Sequence, residues 1–334
     1  MRLHTYLRFV CIAICFAACR SSNKDLEGTW LAAYKINDGD SAIEHIGPFI
    51  LDFMGDKVGI KSLMIPAGYE VDTTTEWSAF SRLGNEILIG SDSDTTRFSI
   101  QSLDQTYLKV RIPRMENAMC VFMKLPVSVS PLVGDLSGRA FAITNQRDGK
   151  NGMVDFLPNQ KAISLYDSED GIDVLDWGIQ SFRQYQLITI NFMMQSAWLL
   201  TSMPNGTLVM IQYDGKILLS EINERKDTTG LCGNWVNHSE DSIPLPPMPN
   251  GEPLDQSQYL RIAEDSLSIV QYGKPKTFAW RLSSTGEYIY FPDRMVAHDG
   301  VWKIVELGPD HLTVRCAVYP ASGGYEWQNI TYGR

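Results

Sequence analysis

The chain has 334 residues, 39 acidic against 29 basic, a formal charge of −10 and 44% hydrophobic residues. That length exceeds one ordinary core and predicts two or three domains, and the composition excludes a disordered chain. An acidic surface with no basic cluster repels phosphate backbones, so no nucleic acid is expected as a partner.

The first element is a leader. Arg2 and Arg8 are the only charges before the apolar run Phe9 to Ala18, and Ala17-Ala18 stand directly before Cys19. A charged segment, a short apolar segment and small residues at a cleavage point describe a signal peptide, and the run is too short for a permanent span. Because the residue at the cleavage point is a cysteine, the segment resembles a bacterial lipobox, which implies lipidation of Cys19. Several acyl chains on one residue give stable anchoring. The expected plan is therefore a signal peptide over 1–18 and a lipidated cysteine with polar tether over 19–25. Loss of the leader removes Arg2 and Arg8 and leaves 27 basic against 39 acidic residues, a net of −12.

Cys120, Cys232 and Cys316 then remain as an odd number with no Cys-x-x-Cys spacing. By strand parity Cys316 sides with the apolar Leu312 and Val314, whereas Cys232 alternates away from Leu231 and Trp235. A Cys232–Cys316 bridge would have to join opposite faces, so structural thiols are expected.

The rest of the chain reads as one unit repeated three times. Leu26-Glu27-Gly28-Thr29-Trp30, Leu136-Ser137-Gly138-Arg139-Ala140-Phe141 and Leu231-Cys232-Gly233-Asn234-Trp235 open successive segments. Each is followed by a tryptophan, Trp77, Trp177 or Trp280. An apolar run comes next: Glu86-Ile87-Leu88-Ile89, Leu187-Ile188-Thr189-Ile190 and Tyr288-Ile289-Tyr290-Phe291. Phe98, Trp198 and Trp302 lie 21, 21 and 22 residues after those tryptophans, and Leu108, Leu208 and Leu312 follow ten residues later in every repeat.

Around each such pair, apolar and polar residues alternate on two arms about a turn, as in Phe98 and Ile100 with Leu108 and Val110. That is the pattern of an antiparallel hairpin with one buried face, and Asn205-Gly206 supplies the positive φ of a tight turn. The expected fold is all-β: three tandem antiparallel meander barrels or sandwiches of about 95–110 residues, over 26–127, 131–226 and 230–334. The tryptophans at repeated spacings, Trp30, Trp77, Trp177, Trp198, Trp235, Trp280 and Trp302, are expected in the cores.

Leu-x-Gly-x-Trp just after a lipidated cysteine, followed by up-and-down hairpins, resembles the lipocalin-like domains found in lipoproteins of Bacteroidetes-type bacteria. The resemblance implies lipocalin-like barrels in an outer-membrane lipoprotein of the cell envelope, with the Gly-x-Trp indole closing one barrel end. Gly28 with Trp30 and Gly233 with Trp235 match; the middle repeat departs, with Ala140 where tryptophan is expected and Phe141 one place on.

Motifs of chemistry are sparse. There is no Gly-x-Ser-x-Gly, His-Glu-x-x-His, phosphate loop or dinucleotide fingerprint, and no cofactor is expected. His45, His238, His298 and His311 each fall near a predicted loop with an acidic neighbour, where a solvated role is the ordinary one. Asp167, Glu169, Asp170 and Asp173 around Gly171 offer hard oxygen ligands without EF-hand spacing, so a solvated acidic turn is preferred to a metal site. Asn37-Asp38-Gly39-Asp40 is a shorter version. Ile243 to Pro249 is a stiff proline-rich loop. Tyr319, Tyr325 and Trp327, outside the repeat register and beside Gly323-Gly324, are the aromatic candidates for stacking on a sugar or a partner.

The expected function is binding or scaffolding by a membrane-anchored lipoprotein, with a small apolar ligand, a glycan or an envelope protein as partner. A glycan hydrolase drawing two carboxylates from separate loops and a structural spacer are the alternatives.

Overall fold

The structure, a computed structural model, describes residues 23–36, 43–44, 47–64, 74–90, 95–112, 118–128, 133–166, 172–191, 195–213, 215–237, 258–271, 274–295, 300–318 and 323–334. Cys19, Tyr319, Asp167, Glu169, Asp170, His45, His238, His298, the Asn37–Asp40 turn and the proline-rich stretch lie outside the described residues.

The fold is all-β, in three antiparallel sheets that follow the chain. The first comprises β1 (Gly28–Ile36), β2 (Ile43–Glu44), β3 (Phe49–Met54), β4 (Lys57–Ser62), β5 (Glu76–Leu83), β6 (Glu86–Ile89), β7 (Thr96–Leu103), β8 (Tyr107–Arg111) and β9 (Met119–Lys124). It is a meander whose β1 also pairs with β9, which closes it.

The second sheet is a closed barrel of β10 (Arg139–Asn145), β11 (Asn151–Phe156), β12 (Lys161–Tyr166), β13 (Asp173–Phe182), β14 (Tyr185–Asn191), β15 (Gln195–Ser202), β16 (Leu208–Gln212) and β17 (Gly215–Ile222). The third has β18 (Gly233–Asn237), β19 (Gln258–Ile262), β20 (Ser266–Gln271), β21 (Lys274–Ala279), β22 (Arg281–Leu282), β23 (Tyr288–Tyr290), β24 (Val301–Leu307), β25 (His311–Val318) and β26 (Glu326–Gly333). Its β18 pairs with β26, and its two edges, β21 and β22, are consecutive pieces of chain parted at Trp280.

The hairpins have the alternation read from the sequence. Phe98, Ile100, Leu108 and Val110 are buried in the first sheet, as are Trp302, Ile304, Leu312 and Val314 in the third. Both hairpins even carry the same bulge, between Ile100 and Ser102 and between Ile304 and Glu306, which re-aims the strand at one equivalent place.

The Leu-x-Gly-x-Trp motif has a local physical reason. Trp30 and Trp235 are fully buried, and each indole Nε1–H donates to the carbonyl of the leucine four residues back, Leu26 at 2.7 Å and Leu231 at 3.0 Å. A cation covers each ring, Lys124 Nζ at 4.9 Å and the Arg334 guanidinium at 4.6 Å. The middle repeat keeps the position and the covering cation, though not the indole hydrogen bond: Phe141, 1% exposed, pairs with Val154 where Trp30 pairs with Leu51 and Trp235 with Leu260, and Arg139 covers its ring at 5.1 Å.

One tryptophan breaks the expected pattern. Trp77 is 44% exposed, opposite Gly59 on the outer face of β4 and β5. A Cβ on Gly59 would lie 3.1 Å from the indole, so the ring occupies the place a side chain would take. Phe80, three residues on and of opposite parity, fills the core instead. Trp198 is half-buried. Cys120 and Cys316 are buried, Cys232 is exposed, and the three form no disulfide.

By packing, the chain divides into two compact units, Met1–Val133 with Trp177–Ile217, and Gly134–Asp176 with Leu218–Arg334.

Candidate functional site

An eight-stranded barrel is just wide enough either to hold one small ligand or to be filled by its own side chains. The first sheet is filled: Trp30, Phe53, Phe80, Phe98, Phe122 and eleven further buried residues form one continuous cluster. The third is filled likewise, around Trp235, Trp280, Trp302, Phe291 and Tyr332. On the outer surface the chain has built one contact twice.

In the first unit, the outer face of β1 and β3 packs on β13 to β15. Leu31, Ile50 and Met123 bury against Phe182, Tyr185, Leu187, Ala197 and Leu199. At its centre Asp52 is completely buried; it accepts from Thr29 Oγ1 at 2.9 Å and faces Arg183 Nη2 at 2.5 Å. That ion contact is close but lies off the line of a hydrogen bond. Arg183 sits at the hairpin tip with φ of 52°, a left-handed conformation costly for a non-glycine residue. Thr189 Oγ1 and Gln180 Nε2 both donate to the Leu63 carbonyl, at 3.1 and 3.2 Å.

In the second unit, the corresponding face of β11 and β12 packs on β23 and β24, with Met153, Leu157 and Ile163 against Tyr288, Tyr290 and Val301. Here Asp155 is the completely buried carboxylate; Ser284 Oγ donates to it at 2.7 Å and the Thr285 amide at 3.4 Å. Tyr288 is buried close by, and its hydroxyl has no hydrogen-bond partner among the described residues. Asp52 pairs across the sheet with Thr29, one residue before Trp30, and Asp155 with Ala140, one residue before Phe141. The two aspartates thus hold one register position in successive repeats, inside Leu-Asp-Phe-Met and Val-Asp-Phe-Leu.

Burial pushes both carboxyls above the ordinary aspartate range, opposed by Thr29 and Arg183 at Asp52 and chiefly by Ser284 and Thr285 at Asp155. Between the unfolded value near 3.8 and the raised folded value, the native state binds the proton more tightly, so these two groups add stability as pH falls through that window. Asp155→Asn removes one such contribution. The stability of the unaltered protein relative to this variant is expected to rise as pH is lowered from neutral towards 4 in thermal melts; a constant difference between the two would show that Asp155 is ionised throughout.

Trp327 packs against the buried cluster around Tyr288, and Tyr325, 42% exposed, meets it edge-on at 6.1 Å between ring centroids. Of these two rings Tyr325 is the more exposed. Asp173 begins β13 opposite Ser164. Among the described residues no three His, Cys, Asp or Glu side chains converge as metal ligands. His311, half-buried at the start of β25, lies between Asp310, at 3.1 Å, and Glu306, at 3.0 Å, and hydrogen bonds to the two carboxylates raise its pKa.

A groove of about 630 Å³ runs between the turn after β7 and the end of β9, lined by Lys24, Asp104, Thr106, Lys124 and Val127 among others. Asp104 there is committed to the Thr106 and Tyr107 amides, both at 2.7 Å, which hold it well below the usual carboxylate range.

Sequence reasoning missed Asp52 and Asp155, although a signal existed. Both are lone carboxylates between bulky apolar residues in the strand after the opening motif. Neither has a second carboxyl among the partners described, as glycoside hydrolysis would require. Their neutral and cationic partners suit holding two sheets together.

No family model matches the chain, and no curated relative does. Solved structures with some likeness include a mutant Transferrin Binding Protein B from Haemophilus parasuis Hp5, at 11% identity and a TM-score of 0.17 over 92% of this chain and 75% of that one. A DUF3598-family protein of unknown function from Nostoc punctiforme aligns at 9% identity and 0.19, over 93% and 95%. The DNA polymerase III subunit beta from Pseudomonas aeruginosa aligns at 8% and 0.17, over 94% and 93%. Likeness at this level carries no argument about function, and the fold assignment rests on the sheets themselves.

Proposed function

We propose that this chain is a membrane-anchored envelope lipoprotein that works by binding or scaffolding on the outer faces of its repeats. The observation that carries the reading is the filling of the first and third sheets by their own side chains. Solid cores in these two repeats leave recognition there to the surface, where an acidic balance and exposed aromatics such as Trp77 and Tyr325 favour a protein or glycan partner over an apolar guest.

The anchor and the binding mode are tested separately. Cys19→Ala is expected to move the protein from the membrane fraction to the soluble one; tight membrane association of that variant would refute the anchor. The chain from Arg20 onward, purified gently from its own organism, is expected to show its bare mass or a retained macromolecule in native mass spectrometry. A discrete small apolar mass lost on denaturation would overturn surface binding in favour of a ligand-holding barrel.

A further inference from the structure

The hairpins that define the repeat end in three turns held by different chemistry. After β7, the Asp104 carboxylate accepts from the Thr106 and Tyr107 amides, both at 2.7 Å, and these bonds hold it below the usual carboxylate range. After β15, the Asn205 side-chain carbonyl accepts from the Thr207 amide at 3.1 Å. Neither group changes its charge near neutral pH. After β24 the place of Asp104 falls to Gly308, since Leu307 pairs with Leu312 where Leu103 pairs with Leu108. The Gly308 amide donates to the His311 carbonyl at 2.8 Å, as the Asp104 amide does to that of Tyr107 at 3.0 Å. A glycine brings no side chain to fasten this turn, and His311 takes over the task.

The imidazole lies so close over the turn that a Cβ on Gly308 would stand 2.3 Å from its Cε1. Its Nδ1 is 3.1 Å from Asp310 Oδ1, and its Nε2 is 3.0 Å from Oε1 of Glu306, the residue directly after the bulge in β24. A neutral imidazole has one N–H and can donate to only one of these carboxylates, whereas the imidazolium donates to both. On the neighbouring strand β26, Gly333 stands opposite His311, and the next residue, Arg334, fastens the same turn. Its amide donates to the Asp310 carbonyl at 2.9 Å and its Nη1 to the Pro309 carbonyl at 3.1 Å. The same guanidinium reaches the opening of repeat 3, where Nη2 donates to the Gly230 carbonyl at 2.6 Å and the ring of Trp235 lies 4.6 Å away.

We infer that His311 is a proton-operated clip on the turn between β24 and β25. As imidazolium it joins Glu306 to Asp310 across the turn that Arg334 ties to the opening of repeat 3; as neutral imidazole it must release one carboxylate, and the turn loosens. Hydrogen bonds to Asp310 first and to Glu306 second raise its pKa above the ordinary value near 6.5. With the folded value raised, the clip is present in full below 6.5 and is lost as pH rises through the folded value. The two carboxylate side chains are 84% and 66% exposed, so the event is a local opening and not global unfolding. The turns of repeats 1 and 2, fastened by groups that keep their charge, have no such step. The inference rests on the turn geometry and stands or falls independently of the proposed envelope role.

The test uses the chain from Arg20 onward, which retains every strand, and reads two quantities between pH 5 and 9. Proton NMR follows the His311 imidazole, identified by its loss in H311Q, and hydrogen exchange follows the Gly308 and Arg334 amides after correction for the intrinsic pH dependence of exchange. The imidazole is expected to titrate above 6.5, and protection of both amides is expected to fall severalfold through that same midpoint. The Tyr107 amide of repeat 1 is expected to show no step, and H311Q is expected to abolish the step at Gly308 and Arg334. E306Q/D310N keeps the imidazole but takes away its charged partners, and is expected to return its midpoint to about 6.5 and to erase the step, which keeps the test open should H311Q fail to fold. A wild-type midpoint at or below 6.5, protection that does not follow the midpoint, or a step that persists in either folded variant would each overturn the inference.

Discussion

Trp235→Ala is expected to lower stability by about 3–5 kcal/mol, and Trp77→Ala by about 0.5 kcal/mol or less, although both tryptophans belong to the repeated spacings. Trp235 is 0% exposed, sits in the core of the third sheet, donates to the Leu231 carbonyl and carries the Arg334 guanidinium over its ring. Its removal leaves a large cavity and orphans a buried carbonyl. Trp77 is nearly half exposed and covers only Gly59 and its surroundings. Urea titrations of the two variants measure the difference, and similar midpoints would mean that the register placing Trp77 outside is wrong.

Leu187→Glu is expected to cost at least about 4 kcal/mol. Leu187 is 0% exposed within the cluster that joins β1 and β3 to the hairpin of repeat 2. Repeat 1 carries glutamate at this same register position, Glu86 pairing with Ser99 where Leu187 pairs with Leu199, but there Glu86 is only half-buried and has Arg97 beside it. Inside the contact, the new carboxylate has the apolar Leu199 across the strand. The same substitution at Leu88, which is half-buried, is expected to cost about 1 kcal/mol. Denaturant unfolding compares the two; equal costs would mean that the hairpin contact in the first unit contributes little.

Much of the architecture was legible because it is written in local periods. Alternation on both arms of a turn specified the hairpins of Phe98–Val110 and Trp302–Val314, and the spacing between tryptophans predicted the repeat. The Leu-x-Gly-x-Trp motif was legible for a local reason too, the indole reaching back four residues to a carbonyl. In the middle repeat the same position survives a one-residue insertion with Phe141 at the tryptophan's place, which spacing alone placed out of register. Of the candidate site residues, Tyr325 is 42% exposed and Trp327 packs against a buried cluster, a difference that two aromatics so close in sequence do not disclose.

What the sequence determined by itself, then, was whatever depends on neighbours within a strand or across one turn: the all-β class, the repeat and the buried side of each hairpin. Only the tertiary structure decided what covers the other side. A strand has two faces, and residues packed inside a barrel look the same in sequence as residues packed beneath the next repeat, since both are apolar and both recur with period two. Leu187 and Ile188 are adjacent and both fully buried, facing opposite ways. Asp52 and Asp155 could be known as buried only once Arg183, and Ser284 with Thr285, had been brought to them from about 130 residues away along the chain. A charge is tolerated in an apolar interface only where distant chain supplies its partner, and that supply is a property of the fold.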